Sequence, residues 1–137
     1  MEGEIAYLLD RDPHVIKVLC RVPGGRASNL LDVARLALGD MADPVHSNPH
    51  DCLLEIGPPG VSKGAALAKL AAGMGISQSD VVAFGDMPND VPMLTWAGIG
   101  YAMADADPEA LAAADRIAPA CAEDGVAVVL EQIFSLI

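Results

Sequence analysis

Basic residues are scarce in this chain: eight Lys and Arg stand against 19 Asp and Glu in 137 residues, a formal net charge of −11. That balance argues against nucleic acid as a partner, because binding a phosphate backbone needs clustered Lys and Arg. It leaves room for a small phosphorylated ligand, which one local cation can hold, and it also serves plain solubility. Long apolar runs are missing too. None reaches the roughly 18 residues that span a bilayer, which argues against a membrane partner. The acidic start Met1-Glu2-Gly3-Glu4 is unlike a secretory signal or a transit peptide. The expectation is a soluble, cytoplasmic protein. Cysteine pairs are absent as well: Cys20, Cys52 and Cys121 are odd in number, far apart and in no Cys-x-x-Cys pattern. They read as reduced core residues. His14, His46 and His50 have no metal-ligand spacing. The chain has neither internal repeats nor low-complexity tracts.

What is present is an apolar fraction of 53%, enough to build a core, and two stretches of different character. The first reads β-α-β-β. His14 to Val22 is strand-like; Pro23-Gly24-Gly25 breaks it; Ser28 or Asn29 can cap a helix through Leu38. Pro44 to Ser47 reads as a short strand, Asn48 to Asp51 as a turn, and Cys52 to Ile56 as a returning strand. Gly57-Pro58-Pro59-Gly60 is the candidate boundary, dividing the chain into 1–57 and 58–137. Beyond it, strand and helix alternate. Ser62 caps a helix through Met74 that Gly73 and Gly75 close. Asp80 to Gly85 is a strand, Val91 to Ala97 a helix, and Gly98 to Ala102 a strand. Pro108 opens a helix through Ala114. Arg116 to Ala118 reads as a strand and Gly125 to Leu136 as a final amphipathic helix. This alternation predicts an α/β fold with βαβ units and a parallel sheet, whose ligands bind outside the carboxyl ends of the strands.

One such end is quoted directly in "VVAFGDMPND VPML". The apolar run stops at Gly85-Asp86. Asp86, Asn89 and Asp90 then offer hard oxygens within five residues. Mg²⁺ favours such oxygens and takes one or two carboxylates, with water and phosphate oxygens completing its shell. The plain alternative is that Asn89 or Asp90 caps the next helix; Asp86 lies too far ahead of that helix to do so. Lys63 is the second candidate. It sits in the first turn of the Ser62-capped helix, where a cation opposes the helix dipole. It is either a surface lysine or, with the helix N–H groups, an anion holder. Asp10 and Asp12 form an Asp-x-Asp after an apolar run, but Pro13-His14 stands where a phosphate-binding turn wants Gly and a hydroxyl. They read as turn or surface residues, which also weakens a Mg²⁺-binding receiver-like reading.

Taken together, "LLEIGPPGVSKGAALAKLAAGMGI", "VVAFGDMPNDVPML", "AGIGYAMADADPEALAAADRI" and "EDGVAVVLEQI" resemble the C-terminal part of a haloacid dehalogenase (HAD) superfamily phosphatase of the Cof type. The specific element is GVSKG followed about 22 residues later by GDxxND. The resemblance implies a partial Rossmann-like HAD core over 58–137 and a partial α/β cap domain over 1–57. It implies a Mg²⁺-dependent phosphomonoester hydrolase that passes the phosphoryl group to an aspartate and then to water. Lys63 would neutralise the phosphate and the nucleophile. Asn89 would hydrogen-bond near the phosphate or Lys63. Asp86 would bind Mg²⁺ directly and Asp90 through water, and Asp124-Gly125 resembles a structural turn near the site.

The family's opening DxDGT, with nucleophile and acid/base, has no counterpart. Asp10-Arg11-Asp12 lacks the Gly-Thr and falls where cap residues belong, so the nucleophile is not assigned to Asp10. The resemblance therefore implies a C-terminal portion. The alternative is a catalytically inactive, truncated module that acts as an oligomer or a partner-binding protein. A core lacking its central strand leaves an edge and apolar surface open, so homo-oligomerisation or element swapping is expected. The substrate class implied is a small phosphorylated metabolite.

Overall fold

The computed structural model describes residues 16–22, 27–46 and 53–134, with side chains in the first helix from residue 30 onward. Asp10, Asp12, His14, His50, Cys52 and the 48–51 turn lie outside the described residues. The chain divides into two compact units, Met1–Pro59 and Gly60–Ile137.

In the first unit, β1 (Val18–Arg21) alternates half-buried Val18 and Cys20 with exposed Leu19 and Arg21, the period-two pattern of a strand with one covered face. Helix α1 (Ala27–Leu38) begins before Ser28 and Asn29. Those residues therefore occupy its first turn rather than its cap. Strands β2 (Asp43–Val45) and β3 (Leu53–Gly57) complete an antiparallel sheet in the order β1-β3-β2. Pro44 is tolerated because β2 is an edge strand, where a missing N–H costs least. Leu54, on the central strand, is fully buried, and Leu31 of α1 is nearly so.

In the second unit, α2 (Lys63–Met74) opens on Ser62, whose Oγ accepts from the Ala65 N–H at 3.1 Å. Gly73 lies inside the last turn of α2. The helix ends at Met74 as expected, capped by Gly75 in the left-handed region, with the Gly75 and Ile76 N–H groups donating to the Ala72 and Ala71 carbonyls. Then come β4 (Val82–Gly85), α3 (Val91–Trp96), β5 (Ile99–Met103), α4 (Pro108–Ala113), β6 (Arg116–Ala118) and α5 (Gly125–Phe134). β4 starts at Val82 rather than Asp80 because Gln78–Asp80 forms a short helical turn closed by the Val81 N–H on the Gln78 carbonyl.

The sheet is parallel, in the order β4-β5-β6, with Gly85 opposite Ala102 and Met103 opposite Ala118. On one face Phe84 stacks on Tyr101, with ring centroids 5.2 Å apart, and Tyr101, Met103 and Ala118 gather around Val129 of α5. Helix α3 packs on β4 and β5 and buries Leu94 completely. All three strands point the same way, so their carboxyl ends share one edge, where the turn after β4 emerges. No helix among the described residues is long and apolar enough to cross a membrane.

Candidate functional site

The turn that follows β4 runs from Asp86 to Asp90 and tightens into a short helical turn over Pro88–Asp90. Its geometry is set by Asp90. The Asp90 side chain folds back over the strand end, and Gly85 makes room for it: a Cβ on Gly85 would stand 2.5 Å from the Asp90 Cβ. One carboxylate oxygen, Oδ2, accepts from the Asp86 N–H at 3.1 Å and the Met87 N–H at 3.2 Å. The other, Oδ1, accepts from the Lys63 ammonium, brought in by the first turn of α2. Asp90 therefore does not cap α3 with its side chain; it ties strand end, turn and α2 together.

Burial makes this arrangement necessary. The Asp90 side chain is 4% exposed and that of Lys63 51%. A buried carboxylate left alone would hold its proton more tightly, but hydrogen bonds from Lys63, Asp86 and Met87 and the lysine's charge outweigh the burial. They hold the Asp90 carboxyl below its ordinary pKa. Asp90 also resolves a conflict in α2, since an ammonium at a helix start is opposed by the dipole and here faces a carboxylate.

Asp86 is the complement. It is exposed, its backbone carbonyl accepts from the Asp107 N–H at 2.8 Å, and its carboxylate has no protein partner among the described residues. In the same turn, Asn89 Oδ1 is buried and accepts no hydrogen bond from the protein, which leaves it open to water or a bound group. A free carboxylate is a hard donor of the kind that suits Mg²⁺. Among the described residues no group of three or more His, Cys, Asp or Glu could hold a metal, so Asp86 would supply only part of a coordination shell.

Of the candidates read from the sequence, Lys63, Asp86, Asn89 and Asp90 thus fall around one strand end. Asp124 has φ 54° and closes the turn before α5; it makes no hydrogen bond to any of the four. Sequence reading missed Asp107, whose N–H fixes the Asp86 carbonyl and whose Oδ1 caps α4 through the Glu109 N–H at 2.9 Å. Its signal was an Asp directly before the helix-opening Pro108.

A parallel βαβαβ sheet with an ammonium, a buried carboxylate and a free carboxylate at its carboxyl edge places the second unit among Rossmann-like α/β cores. The particular family follows from comparison with known proteins: the chain belongs to the haloacid dehalogenase-like hydrolases, whose family profile matches residues 26–130, and within them to the Cof type. It is 42% identical over 94 residues to a phosphoglycolate phosphatase of Methanoculleus marisnigri, covering 69% of this chain and 40% of that one. It is 32% identical over 124 residues to a putative phosphatase of Haemophilus influenzae, covering 90% of this chain and 45% of that one. The crystal structure of a haloacid dehalogenase-like hydrolase from Bacteroides thetaiotaomicron superposes with a TM-score of 0.70 at 32% identity, over 96% of this chain and 49% of that one. The chain thus spans less than half the length of each of these relatives.

Proposed function

We propose that the chain carries the phosphate-anchoring and metal-binding part of a Mg²⁺-dependent phosphomonoesterase acting on a small phosphorylated metabolite. The observation that carries this reading is the pairing of Lys63 with buried Asp90 beside the free Asp86 carboxylate. Residues 58–137 would be the C-terminal part of the core and residues 1–57 part of a cap. Asp86 would be the direct ligand of Mg²⁺, and the metal when bound would offset charge on the phosphoryl oxygens. Both oxygens of Asp90 already accept hydrogen bonds from the protein, so its part in metal binding would be indirect: holding the Asp86 backbone and ordering water. Lys63, half exposed, would keep its contact with Asp90 and turn remaining N–H bonds to a phosphate oxygen, aided by the α2 N-terminus. Asn89 would hold a phosphate oxygen through its amide N–H₂ or steady Lys63 with Oδ1.

Hydrolysis would run through an aspartate that attacks phosphorus and releases the alcohol; water then cleaves the aspartyl phosphate to inorganic phosphate. That aspartate is not among the described residues. The outer edge of β4 has no partner strand among them either, which supports a further strand, from a second copy or another segment, as its partner.

The test is release of phosphate from an aryl phosphate by the purified chain, with Mg²⁺ and with a chelator. Turnover abolished by Lys63→Ala and by Asp86→Ala supports the reading. No turnover at any Mg²⁺ concentration contradicts catalysis by this chain alone and favours a non-catalytic module.

A further inference from the structure

We propose that Gly64 is a positioning residue for the anion anchor, a role that its own lack of a side chain makes possible. The geometric part stands by itself; its consequence for phosphate rests on the function proposed above. Gly64 is the second residue of α2 and is buried. Glycine within a helix is destabilising relative to alanine, so one retained there calls for a packing reason. The reason is close approach. A Cβ on Gly64 would lie 2.3 Å from the Pro92 carbonyl oxygen, 2.5 Å from the Pro92 carbonyl carbon and 2.9 Å from the Met93 nitrogen. All three are backbone atoms and cannot swing aside as a side chain would.

The first turns of α2 and α3 are therefore in backbone contact, and each carries one end of the ion pair. Lys63 immediately precedes Gly64, and Asp90 immediately precedes α3. A methyl group at Gly64 would have to part the two helix starts by roughly 1 Å to reach ordinary van der Waals separation. Asp90 cannot follow Lys63 outward, because its other oxygen is fixed by the Asp86 and Met87 N–H groups. The Lys63 side chain would then have to stretch to keep Asp90, which weakens the pair and draws the ammonium off the place where an anion would be held. Gly73 supplies an internal control: it is in the same helix, and a Cβ there meets nothing within 4 Å.

The experiment is a double-mutant cycle between Lys63→Met and Asp90→Asn, read as melting temperature in wild-type, Gly64→Ala and Gly73→Ala backgrounds. Non-additive shifts in the wild type and in Gly73→Ala, becoming additive in Gly64→Ala, are the expected result. A purely structural role for Gly64 would lower all melting temperatures and leave the non-additivity intact, and that outcome overturns the proposal. If Gly64→Ala does not fold, Gly64→Ala/Pro92→Gly replaces it, since glycine frees the backbone torsions that hold the residue-92 carbonyl against residue 64; the same two outcomes decide. In parallel, inorganic phosphate with Mg²⁺ is titrated into each background. Binding should weaken by at least about tenfold in Gly64→Ala, the scale of one lost hydrogen bond to a charged group, and hold in Gly73→Ala. A wild type that binds no phosphate counts against the proposed function, while the cycle still decides the role of Gly64.

Discussion

Each unit of this chain carries a lysine–carboxylate pair, and the two differ in how their carboxylates are housed. Lys17 pairs with Glu55, and Lys63 with Asp90. The lysines are equally open, 48% and 51% exposed, but Glu55 is 21% exposed and Asp90 only 4%. The first pair follows from strand register: β1 and β3 set Val18 opposite Ile56, which makes Lys17 and Glu55 diagonal neighbours on one face. Such a pair contributes at most about 1 kcal/mol. The second joins a helix start to the turn after β4, 27 positions away, and its carboxylate is held by two backbone N–H groups as well. On the proposed function, a half-exposed lysine held by a fixed carboxylate would be placed to accept an anion. The same two residue types form an open pair in one unit and, in the other, a pair whose buried carboxylate is fixed by the backbone.

Opening the core of each unit gives the largest expected effects. Leu94 and Leu54 are both fully buried, and truncation of either to alanine is expected to cost about 2–5 kcal/mol by denaturant unfolding. Leu94→Ala alone should also loosen α3 and weaken phosphate binding. Next comes Asp90→Ala, which strands two N–H groups and should cost on the order of 2 kcal/mol, against less than about 1 kcal/mol for Lys17→Met. Similar costs for these two would break the contrast.

Acid should separate the pairs as well. The Asp90 carboxyl has a depressed folded pKa, so its stabilisation is full above the ordinary aspartate value of about 4 and is lost as pH falls through the folded value. Melting temperature followed from pH 6 downward should therefore fall less steeply below about pH 4 in Asp90→Asn than in wild type. A smaller effect than those of the leucines and Asp90 sharpens the picture of how Lys63 is presented: Ser62→Ala removes one cap bond and should cost about 1 kcal/mol.

Much of the second unit was legible because its elements announce themselves locally. Ser62 caps as read, Gly85-Asp86 ends a strand as read, and the alternation of strand and helix gave a parallel sheet. The role of Asp90 was not legible. Capping and ligation were both open from its position; its bond to the Met87 N–H is a local cap of the short turn, but the contact with Lys63 could not be foreseen, because that depends on where α2 lands. Gly64 was silent for the same reason: its neighbour is Pro92, 28 residues on, and no local pattern reports a backbone contact across two helices. In the first unit, α1 starting ahead of Ser28 and Asn29 reflects the weakness of boundary signals that lie one or two residues apart.

The most direct measurement is an NMR titration of the whole chain with inorganic phosphate, with and without Mg²⁺, in wild type, Lys63→Ala and Asp86→Ala. Saturable shifts confined to the amides at the α2 start and the turn after β4, strengthened by Mg²⁺ and lost in Lys63→Ala, are expected, with Asp86→Ala removing the Mg²⁺ dependence. Absence of site-specific shifts in the wild type, or shifts unchanged in both variants, would contradict a phosphate and metal site built on Lys63 and Asp86.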